Sequence, residues 1–311
     1  MSLFERLKNV RNKPARQESG ISPVILPQGQ EISSRFGNYF LLESELPGNL
    51  FFPADFPADE YSVLQTNLQL VRGIGPVTEE KLRQQGYTSV ADLLNHPRWN
   101  EYAVKVINLI QNQQINELQM LGARQWELLS YFEPEDILFI DIETTGLWAS
   151  QPLFLIGLLY YRQGKFFINQ LFARNYSEEK AVIAAANEVF RNFKVLVSYN
   201  GKRFDVPYII GRSIEHRLFY SYPHYQVDML FHARRHFRGT LPDCKLVTLE
   251  INILNFQRED DIPGYLIPKT YHRFTKKQDA GLIWPVLKHN RLDLLSMAKL
   301  FKPVVHGPGN D

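Results

Sequence analysis

The 311-residue sequence has a single cysteine, Cys244, so no disulfide can close within the chain and no thiolate zinc site can be built from it. Such thiol-poor usage suits a reducing compartment. A surplus of one charge is also missing. The 35 basic residues stand against 33 acidic ones, for a formal net charge of +2. Any nucleic-acid footprint must therefore be local rather than global. No long apolar run is present either. The most hydrophobic stretch, Leu153 to Tyr161, is roughly half the length of a membrane helix. The first residues, Met1-Ser2-Leu3-Phe4-Glu5-Arg6-Leu7-Lys8, are charged from the start and lack the apolar core of a signal peptide. These absences predict a soluble, cytoplasmic protein without membrane contact. Internal repeats are absent. A hydrophobic share of 44% with 22% charged residues excludes collagen-like, coiled-coil and wholly disordered chains.

Punctuation and periodicity divide the chain. Residues 1–60 carry Pro14, Pro23, Pro27, Pro47, Pro53 and Pro57, which predicts an irregular segment with one strand at Arg35 to Ser44. The aromatic run Leu50-Phe51-Phe52 with Phe56 is expected to pack on a neighbouring domain. Over residues 61–120, Leu64, Leu68 and Val71, then Val90, Leu93 and Leu94, recur at helical spacing and predict a small, mainly helical region. Gln111 to Gln119 reads as a polar helical linker. From 131 to 303 the pattern becomes strands followed by strand–helix alternation. Strands are expected at Ile137 to Ile140, Leu153 to Tyr161, Lys165 to Phe172 and Val195 to Ser198. Helices are expected from Ser177 to about Phe193 and near 204–215, 246–254 and 287–301. This is an α/β pattern around one mixed sheet flanked by helices. Residues 304–311 form a tail.

Asp141-Ile142-Glu143 directly follows a buried strand. Residues i and i+2 of a strand share a face, so both carboxylates project together from its end. Like charges side by side need a cation or a proton to compensate them. By spacing alone the pair reads as a strand end meeting water, with the acids solvated.

The wider phrase Ile140-Asp141-Ile142-Glu143-Thr144-Thr145-Gly146-Leu147 resembles the first motif of the DEDD exonuclease superfamily, whose members have an RNase H-like fold. Ser198-Tyr199-Asn200-Gly201-Lys202-Arg203-Phe204-Asp205 is similar to the second motif. His289-Asn290-Arg291-Leu292-Asp293 is similar to the third. More narrowly, Leu246-Val247-Thr248-Leu249-Glu250, Arg258-Glu259-Asp260-Asp261-Ile262-Pro263-Gly264 and the His289-Asn290 pair resemble the YprB-type RNase H-like family. The resemblance covers about residues 133–302. It implies a metal-dependent 3′→5′ exonuclease that hydrolyses phosphodiesters of DNA or RNA, at a single-stranded end. It puts Asp141, Glu143, Asp205 and Asp293 in the role of ligands to two Mg²⁺ or Mn²⁺ ions. Hard carboxylate oxygens suit those ions, and two such ions stabilise both attacking and leaving oxygens. In that superfamily a Tyr four residues before the last Asp, or a His five before it, positions the attacking water. Here His289 stands four before Asp293, on the same helix face, and can act as general base. The alternative is a non-catalytic RNase H-like module that binds nucleic acid.

Other residues are candidates for touching the substrate. Thr144, Thr145, Gly146 and Leu147 form the loop that the resemblance lays against the terminal nucleotide, and the Asn200-Gly201 turn borders it. Arg234, Arg235 and Arg238 make a local basic cluster suited to phosphates, to which Tyr271-His272-Arg273 and Lys276-Lys277 add. Asp228 reads as structural, holding a helix N-terminus. The stretch from Val71 to Leu82 resembles a helix-hairpin-helix motif. There Gly73 and Gly75 would expose backbone N–H groups at a helix N-terminus toward a phosphate.

Overall fold

A computed structural model describes residues 29–47 and 62–307. In chain order the strands and helices are β1 (Gly29–Ser34), β2 (Gly37–Pro47), α1 (Ser62–Thr66), α2 (Pro76–Gln84), α3 (Asn100–Gln111), α4 (Ile115–Met120), α5 (Gln125–Leu128), β3 (Ile137–Thr144), β4 (Leu153–Arg162), β5 (Lys165–Phe172), α6 (Glu179–Phe190), β6 (Val195–Ser198), α7 (Asp205–Glu215), β7 (Tyr225–Asp228), α8 (Met229–Phe237), α9 (Leu246–Leu254), α10 (Ile267–Lys277) and α11 (Ala280–Val305). The fold is α/β. Seven strands form one mixed sheet in the order β1-β2-β5-β4-β3-β6-β7. β3, β6 and β7 run parallel, and every other pairing is antiparallel. The β4–β5 turn falls on Gln163-Gly164, both at positive φ of 51° and 80°, the conformation a two-residue hairpin demands.

The expected irregular course over 1–60 is corrected for residues 29–47. A hairpin forms there, and β2 pairs with β5 from Phe40↔Phe172 to Pro47↔Lys165. Proline content misled because Pro47 sits at the strand end, where it interrupts nothing. The aromatic run at 50–52 and Phe56 lie outside the described residues.

The helical region has its own core, in which Leu64, Leu68, Val71, Val90 and Leu93 are buried as their spacing predicts. Leu94 is instead 40% exposed. Residues Ala91–Asn95 wind as a 3₁₀ turn, whose three-residue period carries position 94 outward. The stretch 111–119 is not one helical linker. Gln113 takes φ 51° between α3 and α4, and Leu118 is buried.

In the sheet, β3 alternates cleanly between faces. Leu138, Ile140 and Ile142 join one apolar cluster, while Ile137 and Phe139 join the other. Helix α11 spans both clusters. Ile283, Val286 and Leu287 pack in the first, and Leu294, Met297 and Phe301 in the second. Its handover point carries His289, Asn290 and Asp293. The helix begins at Ala280, earlier than its expected start, because Asp279 caps it and Pro285 near its N-terminus does not stop it. Among the described residues, no helix is long and apolar enough to cross a membrane.

Phe154 is fully buried and stacks on Tyr271 of α10, with centroids 3.8 Å apart. Phe154→Ala should destabilise the fold by about 3–5 kcal/mol, read as a lowered denaturant midpoint with an unchanged slope. A loss below about 1 kcal/mol would mean that α10 does not depend on this contact.

Candidate active site

Asp141 and Glu143 continue the face of β3 that carries Ile137 and Phe139, where that strand runs out of its pairing with β6. Glu143 is buried and Asp141 half-buried. Asp141 is held by Asn290, which is fully buried. Asn290 Nδ2 donates to Asp141 Oδ2 at 2.7 Å and to its carbonyl at 3.2 Å. Gln170 Nε2 in turn donates to Asn290 Oδ1 at 2.8 Å, which fixes the amide so that its N–H side faces the acid. Gly157, paired opposite Asp141, makes room for this bridge. A Cβ there would come within 2.2 Å of Asn290 Oδ1.

Asp205 begins α7, so its carboxylate sits at a helix N-terminus that favours negative charge. Its Oδ1 also accepts from Ile142 N–H at 3.2 Å, tying α7 to β3 between the two acids. Gly201 is buried beneath it, and a Cβ there would meet Asp205 Oδ2 at 2.8 Å. Asp228 caps α8 by accepting from Leu230 N–H, and it also accepts from Asn200 N–H at 2.9 Å. It is structural, as its position suggests.

Asp293 comes from the middle of α11. Sequence reasoning missed the group that meets it. Arg258, in the loop after α9, has a side chain only 3% exposed and contacts three carboxylates. Its Nη2 reaches Asp293 and Glu250, its Nε donates to Glu250 at 2.8 Å, and its Nη1 donates to Asp261 at 2.9 Å. Asp261 also accepts from His289 Nδ1, at 2.9 and 3.0 Å. His289 Nε2 lies 3.7 Å from Asp293 Oδ2. Two of these contacts, Asp261 with His289 and Arg258 with Asp293, span 28 and 35 residues of sequence, and no local pattern announces them.

The structure thus brings Asp141, Glu143, Asp205 and Asp293 near enough for their charges to act on one another. Burial, then the charges of Asp293, Glu143 and Asp205, push the Asp141 carboxyl well up. Burial, then Asp293 and Asp205, do the same to Glu143. Burial raises Asp205 to about 7, against its two backbone hydrogen bonds. Burial raises Asp293 too, opposed by His289 and Arg258. Asp261 differs: burial pushes it up, but hydrogen bonds from His289 and Arg258 reverse this and hold it below the usual carboxylate range. Four crowded acids that resist ionising are a donor set that suits a hard divalent cation. As arranged, however, no three His, Cys, Asp or Glu side chains among the described residues converge as they would around an ion. In this arrangement Asn290 is bonded to Asp141, the Ile142 N–H to Asp205 and Arg258 to Asp293.

The substrate-facing candidates disperse. Thr144 and Thr145 are buried, and their hydroxyls brace the loop by donating to the carbonyls of Gly146 and Pro152. Gly146 packs on the Gln151 side chain. Leu147 is 78% exposed, and so is its unpredicted neighbour Trp148, at 75%. Asn200 is exposed at φ 69°. Arg234, Arg235 and Arg238 are exposed, but Arg235 lines a separate cleft with Arg124, Trp126, His232 and His306, to which no carboxylate of the cluster contributes. Tyr271 does not join the basic face expected of it, because it is wholly buried and donates to Ala173 O. Gly73 takes φ 89°, and Gly75 precedes α2 with open space around it. Glu79, whose charge would oppose a phosphate there, is drawn aside by Arg83 and Gln69.

Comparison with known proteins places these elements among others. Residues 138–305 match the family model of the RNase_H superfamily. The protein YprB of Bacillus subtilis (strain 168) is 33% identical over 177 residues, covering 55% of this chain and 42% of that protein. The chain thus spans less than half the length of that relative. The family B DNA polymerase from the hyperthermophilic archaeon Pyrobaculum calidifontis is 16% identical with a TM-score of 0.42, over 54% of this chain and 24% of that one.

The raised acids have a thermodynamic consequence in metal-free protein. Asp205 titrates near 7 when folded against an ordinary 3.8. Between those values the folded chain keeps a proton that the unfolded chain releases, so stability is full at low pH and is lost as pH rises through the folded value. The denaturant midpoint should fall from about pH 5 to about pH 8, and Asp205→Asn should flatten the fall. Millimolar Mn²⁺ should offset it, because a cation binding only the folded arrangement stabilises it. A midpoint that rises over this range equally in both proteins would contradict the carboxylate cluster.

Proposed function

On the premise that the chain belongs to the RNase H superfamily, whose fold carries nuclease-type chemistry on nucleic acid, we propose that it is a divalent-metal-dependent 3′→5′ exonuclease. The observation that carries this reading is the meeting of Asp141 and Glu143 from β3, Asp205 from α7 and Asp293 from α11. Such a cluster has no evident use in folding, because mutual repulsion and burial both oppose it.

The four carboxylates would hold Mg²⁺ or Mn²⁺, two ions in this reading. When bound, these supply positive charge against the attacking and leaving oxygens. The chain's own residues do the rest. Asn290 orients Asp141, and the Ile142 N–H orients Asp205. His289 Nε2 accepts the proton of the attacking water. Leu147 and Trp148, exposed beyond β3, offer an apolar ledge for the terminal base, which can stack on an indole. The Asn200-Gly201 turn borders the same end of the sheet. Arg234, Arg235 and Arg238, and the open N-terminus of α2 at Gly73 and Gly75, would hold phosphates further along a DNA or RNA strand, the latter as a helix-hairpin-helix element. The hold of Arg258 on Asp293 favours one other reading, a nucleic-acid-binding module that does not cleave.

One assay separates the two. Protein with Mn²⁺ or Mg²⁺ is given end-labelled single-stranded DNA and RNA, beside Asp141→Ala. A ladder receding from the 3′ end, abolished in the variant, is expected. Binding without cleavage would support the module, and cleavage that survives Asp141→Ala would place the chemistry elsewhere.

A further inference from the structure

We propose that Asp261 is a positioning residue that fixes the tautomer and orientation of His289, with Arg258 as its clamp. The inference rests on the nuclease reading above.

A carboxylate that is ionised can only accept hydrogen bonds. Both oxygens of Asp261 lie at hydrogen-bond distance from His289 Nδ1. The proton of the neutral imidazole therefore belongs on Nδ1, and Nε2 is left as the acceptor. Nε2 points toward the acid cluster, 3.7 Å from Asp293 Oδ2. That gap is too long for a direct hydrogen bond, so the lone pair stays available to a water.

Asp261 cannot turn away from this task. Arg258 grips it through Nη1, while Nε and Nη2 of the same guanidinium are anchored on Glu250, which is fully buried in α9. The loop is turned by Asn255 and Asp260 at φ 50° and 52°, a left-handed conformation that Asn and Asp tolerate better than other side chains. A planar guanidinium that spans three carboxylates has no lysine equivalent. The second nitrogen contact, to Asp293, ties the positioning group to the same helix as the base.

In the reaction the water oxygen bonds to phosphorus and its proton passes to His289 Nε2. The bond from phosphorus to O3′ breaks and its electron pair stays on O3′. The imidazolium formed then carries its charge against Asp261, held at Nδ1. Asp261 touches no reacting atom. It acts by keeping the right nitrogen free and by stabilising the charged ring.

The test begins without turnover. Nitrogen-15 NMR of histidine-labelled, metal-free protein should show His289 protonated at Nδ1 and bare at Nε2. In Asp261→Asn the amide oxygen accepts from Arg258, which can only donate, and the N–H is left facing Nδ1, so the tautomer should shift toward Nε2–H. In the nuclease assay the same variant should lose ~10²–10⁴-fold in kcat with little change in KM, and Asp261→Glu should recover part of the loss. Wild-type His289 carrying its proton on Nε2 would overturn the proposal, whatever the variants do. So would an Asp261→Asn protein with an unchanged tautomer and unchanged kcat. If the wild type does not cleave at all, the nuclease reading fails alone, and the tautomer still decides whether Asp261 positions His289.

Discussion

Repulsion among four crowded carboxylates, two buried and two half-buried, is the constraint around which the rest of this structure is arranged. Nothing in an α/β sheet requires Asp141, Glu143, Asp205 and Asp293 to meet, and burial makes their charges harder to bear. The fold answers each acid separately. Asp141 leans on a fully buried amide, Asp205 on a helix terminus and a strand N–H, and Asp293 on a guanidinium. These partners reduce the repulsion without removing it, since all four remain harder to ionise than usual.

The same constraint explains small features of the sheet. Gly157 is where β4 must leave space for Asn290, and Gly201 is where the turn before α7 must leave space for Asp205. The long helix α11 passes from one apolar cluster to the other. Its polar residues fall at the crossing, where neither cluster claims them. Gln170, buried in β5, reaches across the sheet to steady Asn290, so strand packing and acid placement are one arrangement.

Local features of this kind were legible in the sequence. The alternation of β3 put Asp141 and Glu143 on one face, and α9 runs over the residues its pattern predicts. What could not be read depends on contacts between distant segments. The β1–β2 hairpin finds its place through β5, more than 100 residues later, so its prolines pointed to irregular chain instead. Helix α10 hides Tyr271 among its basic neighbours, and only packing on Phe154 shows which side is buried. Arg258 and Asp261 were visible as a motif but had no role. Charge partners 28 and 35 residues apart carry no periodic signal.

Whether the four acids form a site for divalent cations is tested most directly by calorimetric titration of metal-free protein with Mn²⁺. Saturable binding is expected, with release of protons that the raised carboxyls hold before the cation arrives, and both should vanish in Asp141→Asn/Asp205→Asn. The absence of binding in the wild type, or equal binding and proton release in the variant, would contradict it.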